Sequence, residues 1–355
     1  MADATKHLFN HVAFCLPDTE RLRDSFEELG ITTVTYSPPE PSLRHARRFY
    51  RESAAVAIQL RTVGADVAHF AEIKAAYHNS LAVRLAQCPM ICHVRNTYPH
   101  INLRVRITLS PVNRFVFVSR EARQQFGISV PDEKANVIYD PIEILPIAPS
   151  STNAAVRNEL GIPSGAVLVG MVARVNPQKD YFTLASAAVE VLSRYPATRF
   201  VVVGDNSMVE LNRIHFKEVL QRLNELGITD RFIFTGHRDD VPRLIAAMDI
   251  CVLCTHREGF GLSIAESMAQ RKPVVATAVG GLLEVIHHGT TGYLCQHANS
   301  RELARAVISL IEEPDKAERM GLAAYEHVQR TYSRDAFVGY IRNMYETVAR
   351  GQPSI

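Results

Sequence analysis

The stretch Asp249-Ile250-Cys251-Val252-Leu253, then Glu258-Gly259-Phe260-Gly261-Leu262-Ser263-Ile264-Ala265-Glu266, reads as a buried strand, a glycine-bearing turn and a helix. Five residues that are mostly apolar suit a parallel strand covered on both faces, and Ser263 to Ala269 has helix-forming composition. Glu258 then lies on the loop and Glu266 inside the helix. Glycines at 259 and 261 let backbone N–H groups approach a ligand closely, and the helix N-terminus beyond them carries partial positive charge suited to a diphosphate. A carboxylate one turn further in is placed to accept hydrogen bonds from a ribose diol. Two glutamates in a loop-helix segment are more often a solvated surface, so this clamp for a nucleotide-linked ligand needs other residues to agree with it.

The same strand-then-helix unit recurs on both sides. Val167 to Val172, Phe200 to Val203, Phe232 to Phe234 and Pro273 to Ala276 are short apolar runs separated by helical stretches. Leu303, Val307, Leu310 and Ile311 share one helix face behind Asn299 and Glu302, spaced as a capping box. The first half repeats the alternation with His11 to Leu16, Ile31 to Tyr36, Asp66 to Phe70, Met90 to His93, Phe115 to Val118 and Val137 to Tyr139. The run Ile147 to Asn153, rich in Pro, Ser and Asn, reads as a hinge. The expected fold class is α/β, two Rossmann-like doubly wound parallel-sheet domains facing across a cleft at the C-terminal ends of their strands. The expected boundaries are 1–147, 154–332 and a terminal helical segment 333–355 that crosses back onto the first domain.

A chain of 355 residues with 47% hydrophobic and 21% charged content suits two ordinary cores. Lys+Arg 39 against Asp+Glu 37 leaves a formal charge of +2, which gives no support to nucleic-acid binding. Arg44, Arg47, Arg48 and Arg51 with His45 form a local basic stripe, a solvated helix face or else a peripheral contact with an anionic membrane. No apolar run approaches the ~20 residues needed to span a bilayer, and the opening residues do not resemble a secretory signal. The expected compartment is the cytoplasm, with the inner face of the membrane as the alternative that the stripe raises. The six cysteines are scattered through apolar segments and read as reduced core residues. Cys251 and Cys254 have metal-site spacing with His256 nearby, but no second pair completes a site, so zinc is not expected there.

Three further segments bear on the clamp. Arg174 and Lys179 follow a strand around a proline turn, five positions apart, and both can reach a phosphate pair. Arg174 paired with Asp205, and Lys179 in solvent, is the plainer alternative. His93 ends a first-half strand on the cleft side, and Val279-Gly280-Gly281-Leu282 supplies a second glycine-rich turn on the rim.

With these segments in order, the chain resembles the family-4 retaining glycosyltransferases of the GT-B fold (glycosyl transferases group 1) over residues 160 to 345. The matching strings are Val-Ala-Arg-Val-Asn-Pro-Gln-Lys-Asp, Val-Val-Val-Gly-Asp, Phe-Thr-Gly-His-Arg-Asp-Asp-Val, Arg-Glu-Gly-Phe-Gly-Leu-Ser-Ile-Ala-Glu, Lys-Pro-Val-Val-Ala-Thr-Ala-Val-Gly-Gly-Leu-Leu-Glu and Gly-Thr-Thr-Gly-Tyr-Leu. The resemblance implies that Arg174 and Lys179 hold the donor diphosphate, that Glu266 binds the ribose, and that Glu258 with Gly259, Phe260, Gly261 and Leu262 meets the transferred sugar. It places His93 near sugar and phosphate, and Gly236, His237 and Arg238 beside the nucleotide base. It implies a hexose moved with retention from a nucleotide-sugar, a UDP-sugar in preference to a GDP-sugar, to a glycan, lipid-linked or small-molecule acceptor in polysaccharide or glycoconjugate synthesis. No metal or other cofactor is expected, since fixed cations and a helix N-terminus can hold the leaving group. Glu258 is not assigned as a nucleophile, although paired carboxylates invite that reading.

The first half departs from the family. Leu16 runs into Pro17-Asp18-Thr19-Glu20 with no glycine pair, so the family's first strand-loop-helix unit is expected to be missing or abbreviated, and Asp140-Pro141 replaces its Asn-Gly pair. An incomplete acceptor side raises two rivals: a catalytically inactive nucleotide-sugar-binding protein, and a subunit of a glycosyltransferase complex. A nucleotide-sugar epimerase of the same fold is a third, set aside because the segments follow the transferase pattern.

Overall fold

The computed structural model describes residues 1–42, 44–146 and 150–351, which form two compact units. Unit 1 comprises Met1–Tyr139 and Arg334–Ile355, and unit 2 comprises Asp140–Ser333. In unit 1 the order is α1 (Ala2–Thr5), β1 (Val12–Cys15), α2 (Glu20–Glu28), β2 (Thr32–Thr35), α3 (Ala46–Thr62), β3 (Ala68–Phe70), α4 (Ile73–Ala86), β4 (Met90–Val94), α5 (Leu103–Thr108), β5 (Arg114–Phe117), α6 (Arg120–Gln124) and β6 (Ala135–Val137). Unit 2 follows with α7 (Ser150–Glu159), β7 (Leu168–Val172), α8 (Tyr181–Arg194), β8 (Arg199–Val203), α9 (Glu210–Glu225), β9 (Phe232–Gly236), α10 (Val241–Ala247) and β10 (Ile250–Leu253). It is completed by α11 (Leu262–Ala269), β11 (Val274–Thr277), α12 (Leu282–Val285), β12 (Tyr293–Cys295), α13 (Ser300–Glu312) and α14 (Pro314–Thr331), after which α15 (Arg334–Ala349) belongs to unit 1.

Unit 2 carries a six-stranded parallel sheet in the order β12-β11-β10-β7-β8-β9. Every residue of β10 and β11 is buried, as parallel strands covered by helices on both faces require. The chain starts in the middle at β7, winds outward through β8 and β9, then returns to β10 on the other side of β7. Strand order therefore reverses between β7 and β10, and that reversal makes the sheet doubly wound. Asn299 caps α13 as its spacing predicts, its Oδ1 accepting from the Glu302 amide at 3.1 Å, while the Glu302 carboxylate accepts from Gln296 N instead of closing the box on Asn299 N.

Unit 1 pairs β1 with β2, and separately builds a four-stranded parallel sheet in the order β3-β4-β5-β6. The terminal helix α15 supplies Phe337, Ile341, Met344 and Val348 to a cluster with Ala4, Ile91, Val116 and Ile138. Arg334 ties its start to Asp3 at 2.9 Å.

Of the expected hinge, residues 147–149 lie outside the described residues, and 150–153 form the first turn of α7. Tertiary contacts account for that helix. Val156 is completely buried, and Arg157 donates to the carbonyls of Ala166 and Ala247 and pairs with Asp249 at 2.5 Å. The six cysteines are all unbridged and buried, with burial pushing the Cys251 thiol up to about 11.

Candidate functional site

The reversal between β7 and β10 is where open parallel sheets bind ligands, at the C-terminal ends of the strands. Here the loop after β7 and the loop after β10 are laced together. His256 N donates to the Gln178 carbonyl at 2.9 Å, Asp180 N to the Cys254 carbonyl at 3.0 Å, and the Gln178 side chain to the Arg257 carbonyl at 2.9 Å. The completely buried Thr255 hydroxyl lies within donating distance of the carbonyls of Gln178 and Arg257, at 3.1 and 2.8 Å. The lacing brings Lys179 Nζ to 2.6 Å from Glu258 Oε2, with only 13% and 17% of the two side chains exposed. Two residues that the sequence places 79 positions apart thus form one charged group at the switch point.

Arg174 behaves differently. It is exposed, and its guanidinium makes no ion pair among the described residues. The plainer alternative of a pair with Asp205 does not occur, since that carboxylate accepts from Ser207 N, Met208 N and Asn212. Backbone contacts fix the loop: Val175 N donates to the Asp205 carbonyl at 2.8 Å, and the Tyr181 hydroxyl to the Ala173 carbonyl at 3.0 Å. A free cation on a fixed loop is suited to an anionic ligand.

Glu258 to Gly261 sits on the second glycine turn. A Cβ at Gly280 would stand 1.8 Å from the Glu258 carbonyl oxygen, and Gly280 also has a φ of +55°. Gly281 N donates to the Glu258 carbonyl at 3.1 Å. The pair expected on a rim is therefore the seat of the Glu258 loop. Gly259 N donates to Glu258 Oε1 at 3.2 Å. Phe260 is buried and packs edge-on to Tyr332, with ring centroids 5.1 Å apart, so its side chain anchors the loop. Gly261, at φ +98°, is the residue from which α11 starts, and Leu262 in its first turn is 40% exposed.

Glu266 lies in the second turn of α11, exposed at its surface and without a hydrogen-bond partner among the described residues. Surrounding protein nevertheless raises its carboxyl above the ordinary range by desolvation.

The segment after β9 is braced. Arg238 reaches Asp240 at 2.7 Å and Glu159 at 2.8 Å, and Arg243 joins the same two carboxylates at 3.0 Å. These arginine hydrogen bonds hold the Asp240 carboxyl down to about 2. Asp240 is the residue before α10, but its carboxylate serves the arginines and makes no side-chain cap bond to the helix. His237 is exposed beside Asp239 at 3.2 Å, and Gly236 ends β9 at φ +70°. Of the three residues expected beside a base, His237 and Gly236 are available and the Arg238 guanidinium is committed to structure.

His93 is the one expected site residue in unit 1. It sits within β4, completely buried, stacked at 5.6 Å on His69, and neither ring nitrogen has a hydrogen-bond partner among the described residues. Burial drives its pKa well below the usual imidazole range. The sequence places His93 at a strand end facing the cleft; β4 runs one residue further, to Val94, and every residue of it is buried. Conversely, Gln178, Thr255 and Tyr332 were not singled out in the sequence, since lacing through backbone carbonyls leaves no spacing signal.

Residues 153–327 match the family model described as glycosyl transferases group 1. The chain is 30% identical over 194 residues to the N-acetyl-alpha-D-glucosaminyl L-malate synthase of Bacillus anthracis, covering 55% of this chain and 49% of that protein. It is 33% identical over 214 residues to a D-inositol 3-phosphate glycosyltransferase of Nocardia farcinica, covering 59% and 47%. The alignments thus span about half the length of these relatives. Among solved structures, Anabaena HepE in complex with UDP is similar with a TM-score of 0.85 and 25% identity over 97% of this chain and 94% of that one. Sucrose-phosphate synthase from Thermosynechococcus elongatus is similar in fold, with a TM-score of 0.73 and 19% identity over 90% and 84%. The chain has the GT-B fold.

Proposed function

We propose that the chain is a retaining, metal-independent glycosyltransferase that moves a hexose from a nucleotide-sugar, a UDP-sugar in the first instance, to a glycan, lipid-linked or small-molecule acceptor. The observation that carries this reading is the Lys179–Glu258 pair at the β7/β10 reversal, with Arg174 on the same loop after β7 and Glu266 in the helix that follows Glu258, both exposed and in no ion pair among the described residues. Arg174 and Lys179 take the diphosphate, with Lys179 exchanging part of its hold on Glu258 for phosphate oxygens. The Glu266 carboxylate accepts from the ribose diol, and the exposed His237 with Gly236 lies beside the base. Glu258 and the chain from Gly259 to Leu262 orient the sugar. Arg238 braces the base segment, and the buried His93 is given no step.

In the reaction the bond from the anomeric carbon to the diphosphate oxygen breaks and a bond from the acceptor oxygen forms on the same face. The electron pair leaves with the nucleotide diphosphate, where the two cations hold the growing negative charge. The acceptor hydroxyl gives its proton to the departing phosphate oxygen, so no protein base is required. UDP bound to HepE and the glycosyltransferase names of the curated relatives support a nucleotide-sugar donor. The test is nucleotide release from UDP-, GDP-, ADP- and dTDP-sugars, with and without candidate acceptors, by the parent and Glu266→Ala. Release from one donor that disappears in the variant supports the reading. UDP binding without release under every condition would favour the non-catalytic alternative.

A further inference from the structure

Apart from the residues assigned to the donor, Asp180, His256 and His297 converge at the C-terminal edge of the unit 2 sheet. His256 Nδ1 lies 2.7 Å from His297 Nε2, and one ligating atom from each of the three residues lies within 4.8 Å of the others. Asp180 is buried at 5% exposure, whereas both histidines are open to solvent. Their backbones are fixed independently: His256 by its bond to Gln178, Asp180 by its bond to Cys254, and His297 in the turn between β12 and α13, just before Ala298 at φ +57°. The Asp180 carboxylate accepts from Thr183 N at 3.0 Å and from the Thr183 hydroxyl at 2.6 Å. An ionised carboxylate has about four acceptor positions, so capping α8 leaves it able to ligate.

An imidazole–imidazole hydrogen bond accounts for the short contact and the α8 cap for the burial of Asp180, but neither requires ligating atoms of all three residues to converge. We propose that the three residues bind one late first-row divalent cation, Zn2+ above all, with water in the remaining position. Two imidazoles and one carboxylate suit such an ion, whereas Mg2+ and Ca2+ favour sites made of oxygen. Zn–N bonds of about 2.0–2.1 Å in tetrahedral geometry put two nitrogens about 3.3 Å apart, so the rings need part by only about half an ångström. The ion takes no part in glycosyl transfer. Its effect is mechanical: Asp180 follows Lys179, His256 precedes Glu258 by two residues, and His297 adds a third loop, so occupancy ties together the segments that carry the ion pair.

The test uses the full chain stripped with chelator and titrated with Co2+, whose d–d absorption reports ligation directly, and with Zn2+ by calorimetry and thermal melting. One equivalent is expected, with a higher melting temperature in Zn2+. Affinity should fall at least 10-fold in His256→Ala and in His297→Ala, and stay unchanged in the exposed control His100→Ala. The proposal fails if the parent takes up no ion, or if the His256→Ala/His297→Ala double variant, folded by circular dichroism, binds as the parent does. Unchanged affinity in Asp180→Asn would remove the third ligand and overturn the site as assigned. None of these readouts depends on donor turnover.

Discussion

At the scale of single residues, Glu266 and Lys179 carry opposite relations between stability and function. Desolvation by the surrounding protein raises the carboxyl of the surface residue Glu266, so the folded chain holds that proton more tightly than the unfolded chain does. Between the ordinary carboxyl value and the raised one, stability therefore falls as pH rises, and the whole cost is present above both. Glu266→Gln is expected to melt higher than the parent at pH 7, with the gain disappearing below about pH 4. The same variant should bind nucleotide-sugar ~1–3 kcal/mol more weakly, the scale of a hydrogen bond to a charged group. A variant that loses neither stability cost nor affinity would detach Glu266 from the ribose. Lys179→Ala leaves the largely buried Glu258 carboxylate without its partner and should cost ~1–3 kcal/mol in denaturant unfolding, part of it restored in Lys179→Ala/Glu258→Ala. Arg174→Ala, at an exposed residue with no pair to break, should stay within about 0.5 kcal/mol of the parent. Both cation variants should lower donor turnover, so that Arg174→Ala separates catalysis from folding. Residue types and spacing made these four charges legible in the sequence. The cluster of Asp180, His256 and His297 was not, because its members come from three loops that only the sheet order joins.

At the scale of elements, the alternation of apolar runs located β10 within one position and most other strands within two, because a strand buried on both faces must be a continuous apolar run. The misses share one cause. The three-residue strand β12 follows Gly289 and Gly292 and reads as the tail of a turn, and α7 begins in Ser and Asn that favour loops. Both are formed by what packs on them, which composition does not encode. The glycine turns were legible as turns but not as a seat, and the seat makes a prediction. Gly280→Ala must accept both φ +55° and a Cβ 1.8 Å from the Glu258 carbonyl, so the Glu258 loop has to shift. A loss of ~1–3 kcal/mol for overpacking is expected, with weaker donor binding by calorimetry. Gly289→Ala is the control: its φ is +78° but nothing lies within 4 Å, so it should show only the backbone cost of about 1–2 kcal/mol and unchanged donor binding. Equal affinities in the two variants would mean that the seat does not position Glu258.

At the scale of the whole molecule, the chain builds unit 1 from two distant segments and unit 2 from one. Phe337, Ile341, Met344 and Val348 of α15 complete the unit 1 core, so Phe337→Ala should cost ~3–5 kcal/mol although it lies far along the chain from β4 and β5. Unit 2 has no such dependence. Its buried strands β7, β8, β10 and β11 lie within Asp140–Ser333, and Ile142 N donates to the Tyr332 carbonyl at 2.9 Å, which joins the two ends of the segment. All the proposed donor residues, from Arg174 to Glu266, are inside it. Residues 140–333 produced alone are therefore expected to fold cooperatively and to bind UDP within about 10-fold of the full chain, roughly 1.4 kcal/mol, with binding reduced by Glu266→Ala in both forms. Calorimetry on the two forms, with circular dichroism to establish folding, decides the matter. A folded segment that fails to bind UDP while the full chain binds it would place part of donor recognition in unit 1, and would reopen the assignment of every residue there, His93 first.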